Sequence, residues 1–248
     1  IKKSCIVFNM EAIKKIELNK IAKVILVTVL GTLLLTISAK IKIPFYPVPM
    51  TMQTFVVLLM GVTFGWKIGV ATISLYLFEG IIGLPVFAGT PEKGMGLVYF
   101  TGPTMGYLIG FLIATFLAGY LKPINNLFTK ILSAIIFSYP LFIFLGLFVY
   151  EVLGFNLEHT LSGEGLYLTC LLTAIILAFK SNAFGNALIL LISVLPIYIL
   201  GIFWLGAVIG WDKPLFTLGA APFLLAESFK IFLLAILYSN LKKLRKFI

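Results

Sequence analysis

Eight long apolar runs follow one another along the chain, separated by short segments that are polar or contain Pro and Gly. They cover about 22–39, 52–64, 68–82, 104–121, 130–150, 165–179, 184–205 and 220–239. A helix rises about 1.5 Å per residue, so crossing a bilayer core of about 30 Å takes about 20 residues. Spanning backbone must satisfy its own hydrogen bonds, and unbroken runs favour helices over the short alternating strands of a barrel. The pattern predicts an all-α fold, a polytopic membrane bundle of about eight transmembrane helices.

The composition indicates that a bilayer surrounds these helices. Of the 248 residues, 61% are hydrophobic and 11% are charged, whereas a soluble domain is about half apolar and about a quarter charged. A water-soluble core does not need so much apolar surface. The chain shows no linker rich in Pro, Gly or Ser and no strong internal repeat, so a single membrane domain over 1–248 is predicted.

The basic residues predict how the bundle lies in the membrane. The formal net charge is +10, and these charges cluster at the chain ends and in short loops, which suits anionic lipid rather than nucleic acid. With the N-terminus inside and alternating spans, the cytoplasmic side holds 14 of the 19 basic residues: Lys2, Lys3, Lys14, Lys15, Lys20, Lys23, Lys67, Lys122, Lys130, Lys180, Lys242, Lys243, Arg245 and Lys246. The positive-inside rule therefore predicts a multi-pass cell-membrane protein with both termini in the cytoplasm.

The segment after the first span carries the first candidate chemistry. Three prolines at Pro44, Pro47 and Pro49 bias it towards extended backbone on the outer side. Thr51 is then predicted to cap the second helix, with the amide of Gln53 facing inward from the first turn. A plain loop with a capping threonine is the alternative.

Two further outer segments contain turn residues beside aromatic and polar side chains. Gly83–Phe87 closes the third span, one to two turns after Tyr76 and Glu79, although Glu79 can also simply reach the headgroups. Thr101–Tyr107 opens the fourth span, where free helix N–H groups favour a carboxylate. The candidate residues here are Tyr76, Phe87, Thr104 and Tyr107.

Small residues recur every four positions in the first and fourth spans. Gly106, Gly110, Ala114 and Ala118 form one stripe, for which close helix packing is the expected role. A second stripe, Thr28, Thr32 and Thr36, is expected to pack in the same way, and its face is also suited to docking a partner.

The strongest candidate is the pair of charged residues in the last span. Glu227 and Lys230 are three residues apart and share a helix face. They lie on the order of 8–12 Å from the outer end, counted from Pro222 at about 1.5 Å per residue. Each charge at that depth costs about 2.5–3.5 kcal/mol on insertion scales, which makes a functional site the default hypothesis. An ion pair that only locks helices together is the alternative.

The sequence lacks the residue combinations that metal-dependent, triad or ATP-hydrolysing enzymes use. The only histidine, His159, falls in an outer loop, and no Walker P-loop is present. We therefore predict no catalytic residue, no metal and no cofactor. The four polar segments all fall in the outer half of the bundle, which predicts a pocket open to the outside for a small, partly apolar, anionic ligand.

These motifs, in this order, resemble the BioY family, the biotin-binding S components of energy-coupling-factor (ECF) vitamin transporters. The matching stretches are Pro-Val-Pro-Met-Thr-Met-Gln-Thr at 47–54, Tyr76 with Gly-Leu-Pro-Val-Phe-Ala at 83–88, Gly-Pro-Thr-Met-Gly-Tyr at 102–107, and Pro-Phe…Glu…Lys at 222–230. The resemblance implies a bacterial inner-membrane protein that captures biotin from the outer side. It also implies partners, a membrane T component and two ATPases that supply the energy.

The resemblance also suggests roles for the candidate residues. Lys230 would pair with the valerate carboxylate of biotin, beside Glu227 and helped by the helix start at Thr104. Gln53 would meet the ureido ring, which both donates and accepts hydrogen bonds. The thiophane ring would be covered by three aromatic residues, Tyr76, Phe87 and Tyr107.

The chain departs from the family pattern in three places. Ala226-Glu227 stands where the family usually has Gly-Asp before the lysine, and the alanine motif that grips the T component is replaced at best by the threonines of span one. The stretch 122–183 has no counterpart in the usual six-span core. It is predicted to be two inserted helices between core segments 22–121 and 184–240, after a basic cytoplasmic segment at 1–21. These departures keep two alternatives open: an S component for another small vitamin or precursor, and a stand-alone proton-coupled secondary carrier using Glu227 or Glu79.

Overall fold

The structure is a computed structural model that describes residues 2–92, 94–153 and 163–247. Nine α-helices lie in these ranges: α1 Lys2–Lys40, α2 Gln53–Phe64, α3 Trp66–Ile81, α4 Met105–Tyr120, α5 Leu127–Leu153, α6 Gly163–Lys180, α7 Ala183–Ile209, the short α8 Leu215–Gly219 and α9 Leu224–Lys243. Short 3-10 helices cover Gly96–Thr101, Ala221–Phe223 and Leu244–Phe247. The loop residues Lys93 and His159 lie outside the described residues.

Each of the eight predicted spans is a helix, which confirms the helical membrane bundle. Among the described residues, three helices are long and apolar enough to cross a membrane by length and composition: Lys20–Lys40, Ala183–Ile209 and Leu215–Lys246. Shorter apolar helices cover Gln53–Phe64, Met105–Tyr120, Leu127–Ile143 and Tyr167–Lys180. Large apolar side chains are exposed on the outside of the bundle, including Leu30, Ile199 and Phe203, as expected where lipid replaces water.

The segment between α1 and α2 contains a small feature that the sequence did not predict. Strand β1, Lys42–Ile43, pairs antiparallel with strand β2, Met50–Thr51. The prediction that Thr51 caps α2 is wrong by one position. Met52 occupies the cap position without a side-chain cap, because Thr51 belongs to β2. The Thr51 hydroxyl accepts a long hydrogen bond of 3.4 Å from the Gln53 backbone amide, which is not a helix cap.

The glycines of α4 bring that helix against α7. A Cβ added to Gly106 would collide with the carbonyl oxygen of Leu200, and one on Gly110 would lie 2.5 Å from the Cα of Ile197. The packing role predicted for this stripe is confirmed at both glycines. The threonines of α1 form hydrogen bonds within their own helix. The hydroxyls of Thr28 and Thr36 donate to carbonyl oxygens one turn earlier.

Arg245 holds the ends of two helices together at what we call the tail end of the bundle, where the C-terminal residues lie. Its Nε donates to the carbonyl oxygen of Val62 at 3.0 Å, and its Nη2 donates to those of Gly61 at 2.9 Å and Gly119 at 3.3 Å. The guanidinium therefore joins carbonyl groups in the last turns of α2 and α4, where helix carbonyls lack some of their intrahelical donors; the Gly61 carbonyl also accepts from the Gly65 amide at 2.9 Å.

Helices α5 and α6 form a hairpin with a small apolar cluster of its own. The cluster contains Ala134 from α5, Ala174 and Ala178 from α6, and Phe184 from α7, whereas the main core is built mostly from α2, α3, α4, α7 and α9. The division of the chain into a family core and two inserted helices stays a prediction.

We expect Gly110→Ala to destabilise the bundle by about 1–3 kcal/mol, because the added methyl group meets backbone that cannot move without separating α4 from α7. Thermal unfolding in detergent measures the change. Gly146→Ala is the matched control, since a Cβ there meets nothing within 4 Å and alanine is the better helix former. Equal unfolding temperatures for the two variants would contradict close α4–α7 packing.

Candidate functional site

A cavity of about 580 Å³, counting the space open at its mouth, lies between helices α2, α4, α7 and α9. The ribbon β1–β2 and the loop between α3 and α4 contribute the rest of its wall. The wall combines a polar end with an aromatic side. Its lining residues are Val48, Pro49, Met50, Thr51, Gln53, Thr54, Ala88, Tyr99, Thr104, Tyr107, Leu108, Phe111, Ile197, Tyr198, Phe223, Glu227 and Lys230.

Lys230 uses all of its hydrogen-bonding capacity within the protein. Its Nζ lies 3.4 Å from Oε2 of Glu227, and donates to the carbonyl oxygen of Thr51 at 2.7 Å and the hydroxyl of Thr54 at 3.1 Å. Only 8% of the residue is exposed. Because an ammonium group has three N–H donors, the three acceptors satisfy it and hold it at the wall of the cavity.

The two oxygens of Glu227 differ in their surroundings. Oε2 accepts hydrogen bonds from the hydroxyls of Thr54 and Tyr198, each at 3.0 Å, as well as from Lys230. Oε1 is buried, and no donor among the described residues reaches it. A buried acceptor left without a donor costs about 1–3 kcal/mol, and more when it is charged. Because Glu227 is one of the residues that line the cavity, this oxygen is a candidate acceptor for a ligand donor.

A chain of hydrogen bonds orients the amide of Gln53. The Tyr76 hydroxyl donates to the carbonyl oxygen of Val86 at 3.0 Å and accepts from Nε2 of Gln53 at 2.8 Å. The Thr51 hydroxyl donates to Oε1 of Gln53 at 3.3 Å. Since the tyrosine proton goes to Val86, the NH2 group of Gln53 has to face Tyr76, which leaves its carbonyl oxygen on the Thr51 side.

Aromatic rings cover the remaining wall. The Tyr107 hydroxyl donates to the carbonyl oxygen of Gly219 at 2.9 Å, and its ring meets that of Tyr198 edge-on with the centroids 6.4 Å apart. Tyr99 accepts a 3.3 Å hydrogen bond from the Gly89 amide, and burial raises the pKa of its hydroxyl. Both hydroxyls are therefore occupied in holding loops, and the rings themselves remain to contact an apolar ligand.

Lys40 at the end of α1 and Lys42 in β1 hold the loop that borders the mouth. Lys40 Nζ donates to the carbonyl oxygens of Phe87 at 2.9 Å and Thr90 at 3.0 Å, and Lys42 Nζ donates to that of Ala88 at 2.7 Å. Ala88 lines the cavity, so these contacts fix one edge of its opening.

The structure brings five of the seven candidate residues to the cavity wall: Lys230, Glu227, Gln53, Thr104 and Tyr107. The other two do not line it. Tyr76 and Phe87 lie behind the wall, with their rings 5.3 Å apart, and Phe87 stacks on the lining residue Tyr99 at 4.7 Å. Tyr76 and Phe87 thus support Gln53 and Tyr99 from behind, and their predicted contact with a ligand ring stays a prediction.

Sequence reasoning missed several lining residues, and three of them carry hydroxyl groups that hold the site together. Thr54 directly follows Gln53, Tyr198 follows Pro196 by two positions in an apolar span, and Tyr99 lies in the loop before α4. A tyrosine beside a proline within a span was the available signal for Tyr198. In the part of the chain that the structure describes, no three His, Cys, Asp or Glu side chains gather as a metal site.

Comparisons with known proteins place the chain in a family. The BioY family profile matches residues 10–181. "Probable biotin transporter BioY" of Pyrococcus horikoshii is 42% identical over 98 residues, which cover 40% of this chain and 59% of that protein. "Biotin transporter BioY" of Thermotoga maritima is 35% identical over 131 residues, covering 53% and 76%. Both relatives are named as transporters, in line with the prediction that the chain is not an enzyme.

A solved structure shares the fold. The crystal structure of the S-component for biotin from an ECF-type ABC transporter, determined at 2.1 Å, aligns with a TM-score of 0.57 and 23% identity over 91% of this chain and 93% of that one. The profile match extends over more than half of the sequence. The chain belongs to the BioY family.

Proposed function

We propose that this chain is the substrate-binding membrane subunit for biotin uptake, which captures biotin from the outer side of the membrane. The observation that carries the proposal is the buried pair Glu227–Lys230 at the wall of a cavity that is polar at one end and aromatic along its side. An ion pair that only held helices together would not have to line a cavity, whereas both residues of this pair do so. The names of the family relatives, which are biotin transporters, supply the ligand.

The hydrogen-bonding groups of the cavity fit the ureido ring of biotin at the polar end. A cyclic urea carries two N–H donors and one carbonyl acceptor, and Oε1 of Glu227 is a buried acceptor without a donor among the described residues. The amide of Gln53 lies on the same wall. We therefore assign a ureido N–H to Oε1 of Glu227, with Gln53 close to the ring.

This assignment revises the expected role of Lys230. Its three N–H donors already meet Thr51, Thr54 and Glu227, so a ligand carboxylate would have to displace one of these acceptors. In the revised arrangement Lys230 balances the charge of Glu227 and keeps the carboxylate in place. The rings of Tyr107, Phe111 and Phe223 border the thiophane ring, and the valerate carboxylate meets the free N–H groups at the start of α4, beside Thr104.

Topology and partners complete the proposal. Both termini lie in the cytoplasm, as the distribution of Lys and Arg predicts. The sequence contains no P-loop, so ATP hydrolysis by this chain does not energise uptake. An ECF module of one T component and two ATPases supplies that energy at the inner membrane.

A double-mutant cycle on the ion pair separates binding from stability. Lys230→Met leaves a carboxylate buried without its counter-charge, which costs about 3–5 kcal/mol of stability. Adding Glu227→Gln removes the charge, and such neutral replacements of a buried pair are often close to neutral in stability. We expect the double variant to regain most of the thermal stability but to bind biotin at least about tenfold more weakly, because the charged acceptor is gone.

Isothermal titration of the purified variants with biotin measures the binding half of the cycle. Glu79→Gln, the same change at a carboxylate off the cavity wall, is the matched control and should bind as the wild type does. Wild-type affinity in the double variant would show that the pair only locks helices. No biotin binding by the wild type would reject the ligand.

Uptake assays in cells distinguish the proposed subunit from a stand-alone proton-coupled carrier. We expect radiolabelled biotin to accumulate when the chain is expressed together with a T component and its ATPases. Expressed alone, it should bind biotin at the cell surface without accumulation. Accumulation by the chain alone that stops when the proton gradient is collapsed would instead support the carrier.

A further inference from the structure

A second cavity opens on the side of the bundle, away from the biotin site. We call it the lateral cleft. It measures about 910 Å³, counting the space open towards the bilayer, and lies between α9, the hairpin α5–α6 and the start of α7. Its lining residues are Phe137, Pro140, Leu141, Ala174, Leu177, Phe184, Ser228, Phe229, Phe232, Leu233 and Ile236.

The lateral cleft lacks polar groups that could hydrogen-bond to water. Its walls are apolar apart from Ser228, whose hydroxyl already donates to the carbonyl oxygen of Leu224 at 2.8 Å. A buried water needs two to four polar partners. Several lining side chains are half exposed, including Leu177 at 47%, Leu233 at 48% and Ile236 at 57%, so the cleft is open sideways to whatever surrounds the helices.

The helices that form the cleft carry lysines near the tail end of the bundle. Gly185 at the start of α7 lies against Asn125, just before α5, and Asn186 donates to the carbonyl oxygen of Ala235 in α9 at 3.1 Å. The start of α5, the end of α6, the start of α7 and the end of α9 therefore meet at the tail end of the bundle. Lys130, Lys180, Lys242 and Lys243 lie on these helices there.

The depth of the cleft below the lysines is that of one lipid leaflet. Leu177 is three residues from Lys180, and Ser228 is fourteen residues from Lys242, so the lining extends from about 5 to about 20 Å below the charges at about 1.5 Å per residue. Half of a bilayer core is about 15 Å. The side-chain ammonium groups of Lys130 and Lys180 make no hydrogen bond or ion pair within residues 2–92, 94–153 and 163–247.

We propose that the lateral cleft binds one anionic phospholipid, with an acyl chain against α9 and the phosphate headgroup at Lys130 and Lys180. Apolar walls at acyl depth below basic residues match both parts of such a lipid. A transmembrane helix from a second protein would need a contact along the whole membrane thickness, whereas the described cleft fits half of it. The hairpin predicted to be an insertion thus forms one wall of a lipid site.

Native mass spectrometry of the detergent-purified chain tests the proposal, after delipidation and titration with phosphatidylglycerol or phosphatidylcholine of identical acyl chains. We expect one phosphatidylglycerol per chain to be retained in preference to phosphatidylcholine. The double variant Lys130→Gln/Lys180→Gln should lose this preference, by about fivefold for each lysine. Lys67→Gln, a lysine outside the cleft, should keep it.

A pair of neighbouring substitutions tests the acyl position. Leu177→Trp fills the cleft and should abolish lipid retention, whereas Ile176→Trp, on the same helix at a residue 57% exposed and outside the lining, should not. Ile236→Trp fills the cleft from the opposite wall and should also abolish lipid retention, so the test does not depend on the correct folding of a single variant. Equal retention of both lipids by the wild type, equal effects at 176 and 177, or a lipid-free dimer would each overturn the proposal.

Discussion

The ion pair between Glu227 and Lys230 connects the elements that form the cavity proposed to bind biotin. Two charges that are 4% and 8% exposed are stable in a bilayer only when each is neutralised and hydrogen-bonded. Lys230 meets this requirement by binding β2 and α2 through Thr51 and Thr54, and Glu227 by binding α7 through Tyr198. The pair therefore connects α9 to the elements that form the cavity, and no donor among the described residues reaches Oε1 of Glu227.

Further side-chain contacts fix the elements around that pair, both at the mouth of the cavity and at the tail end of the bundle. At the mouth, Lys40 and Lys42 hold the loop from Phe87 to Thr90, and the Tyr76 hydroxyl joins Gln53 to Val86. At the tail end, Arg245 fastens α2 to α4. Helix α2, which carries Gln53 and Thr54, is thus fixed at both of its ends.

Much of this arrangement was predictable because the bilayer imposes simple rules on sequence. Long apolar runs have to be helices, and a charged pair within one of them has to have a partner or a purpose, which identified Glu227 and Lys230. Helix rotation was harder. Tyr76 and Phe87 share outer-end positions with lining residues, but Tyr76, on α3, and Phe87, in the loop after α3, are both buried behind the wall. Tyr198 was missed because a tyrosine within an apolar span looks like any other buried ring unless its position two residues after Pro196 is also considered.

A structure of the chain with biotin bound would test the role of Glu227 most directly. Oε1 of Glu227 has no donor among the described residues, and the ammonium group of Lys230 already has three acceptors. We therefore predict a ureido nitrogen within about 3.2 Å of Oε1 of Glu227. The valerate group is predicted to point towards the start of α4. Biotin bound with its carboxylate on Lys230, or held outside this cavity, would contradict that role.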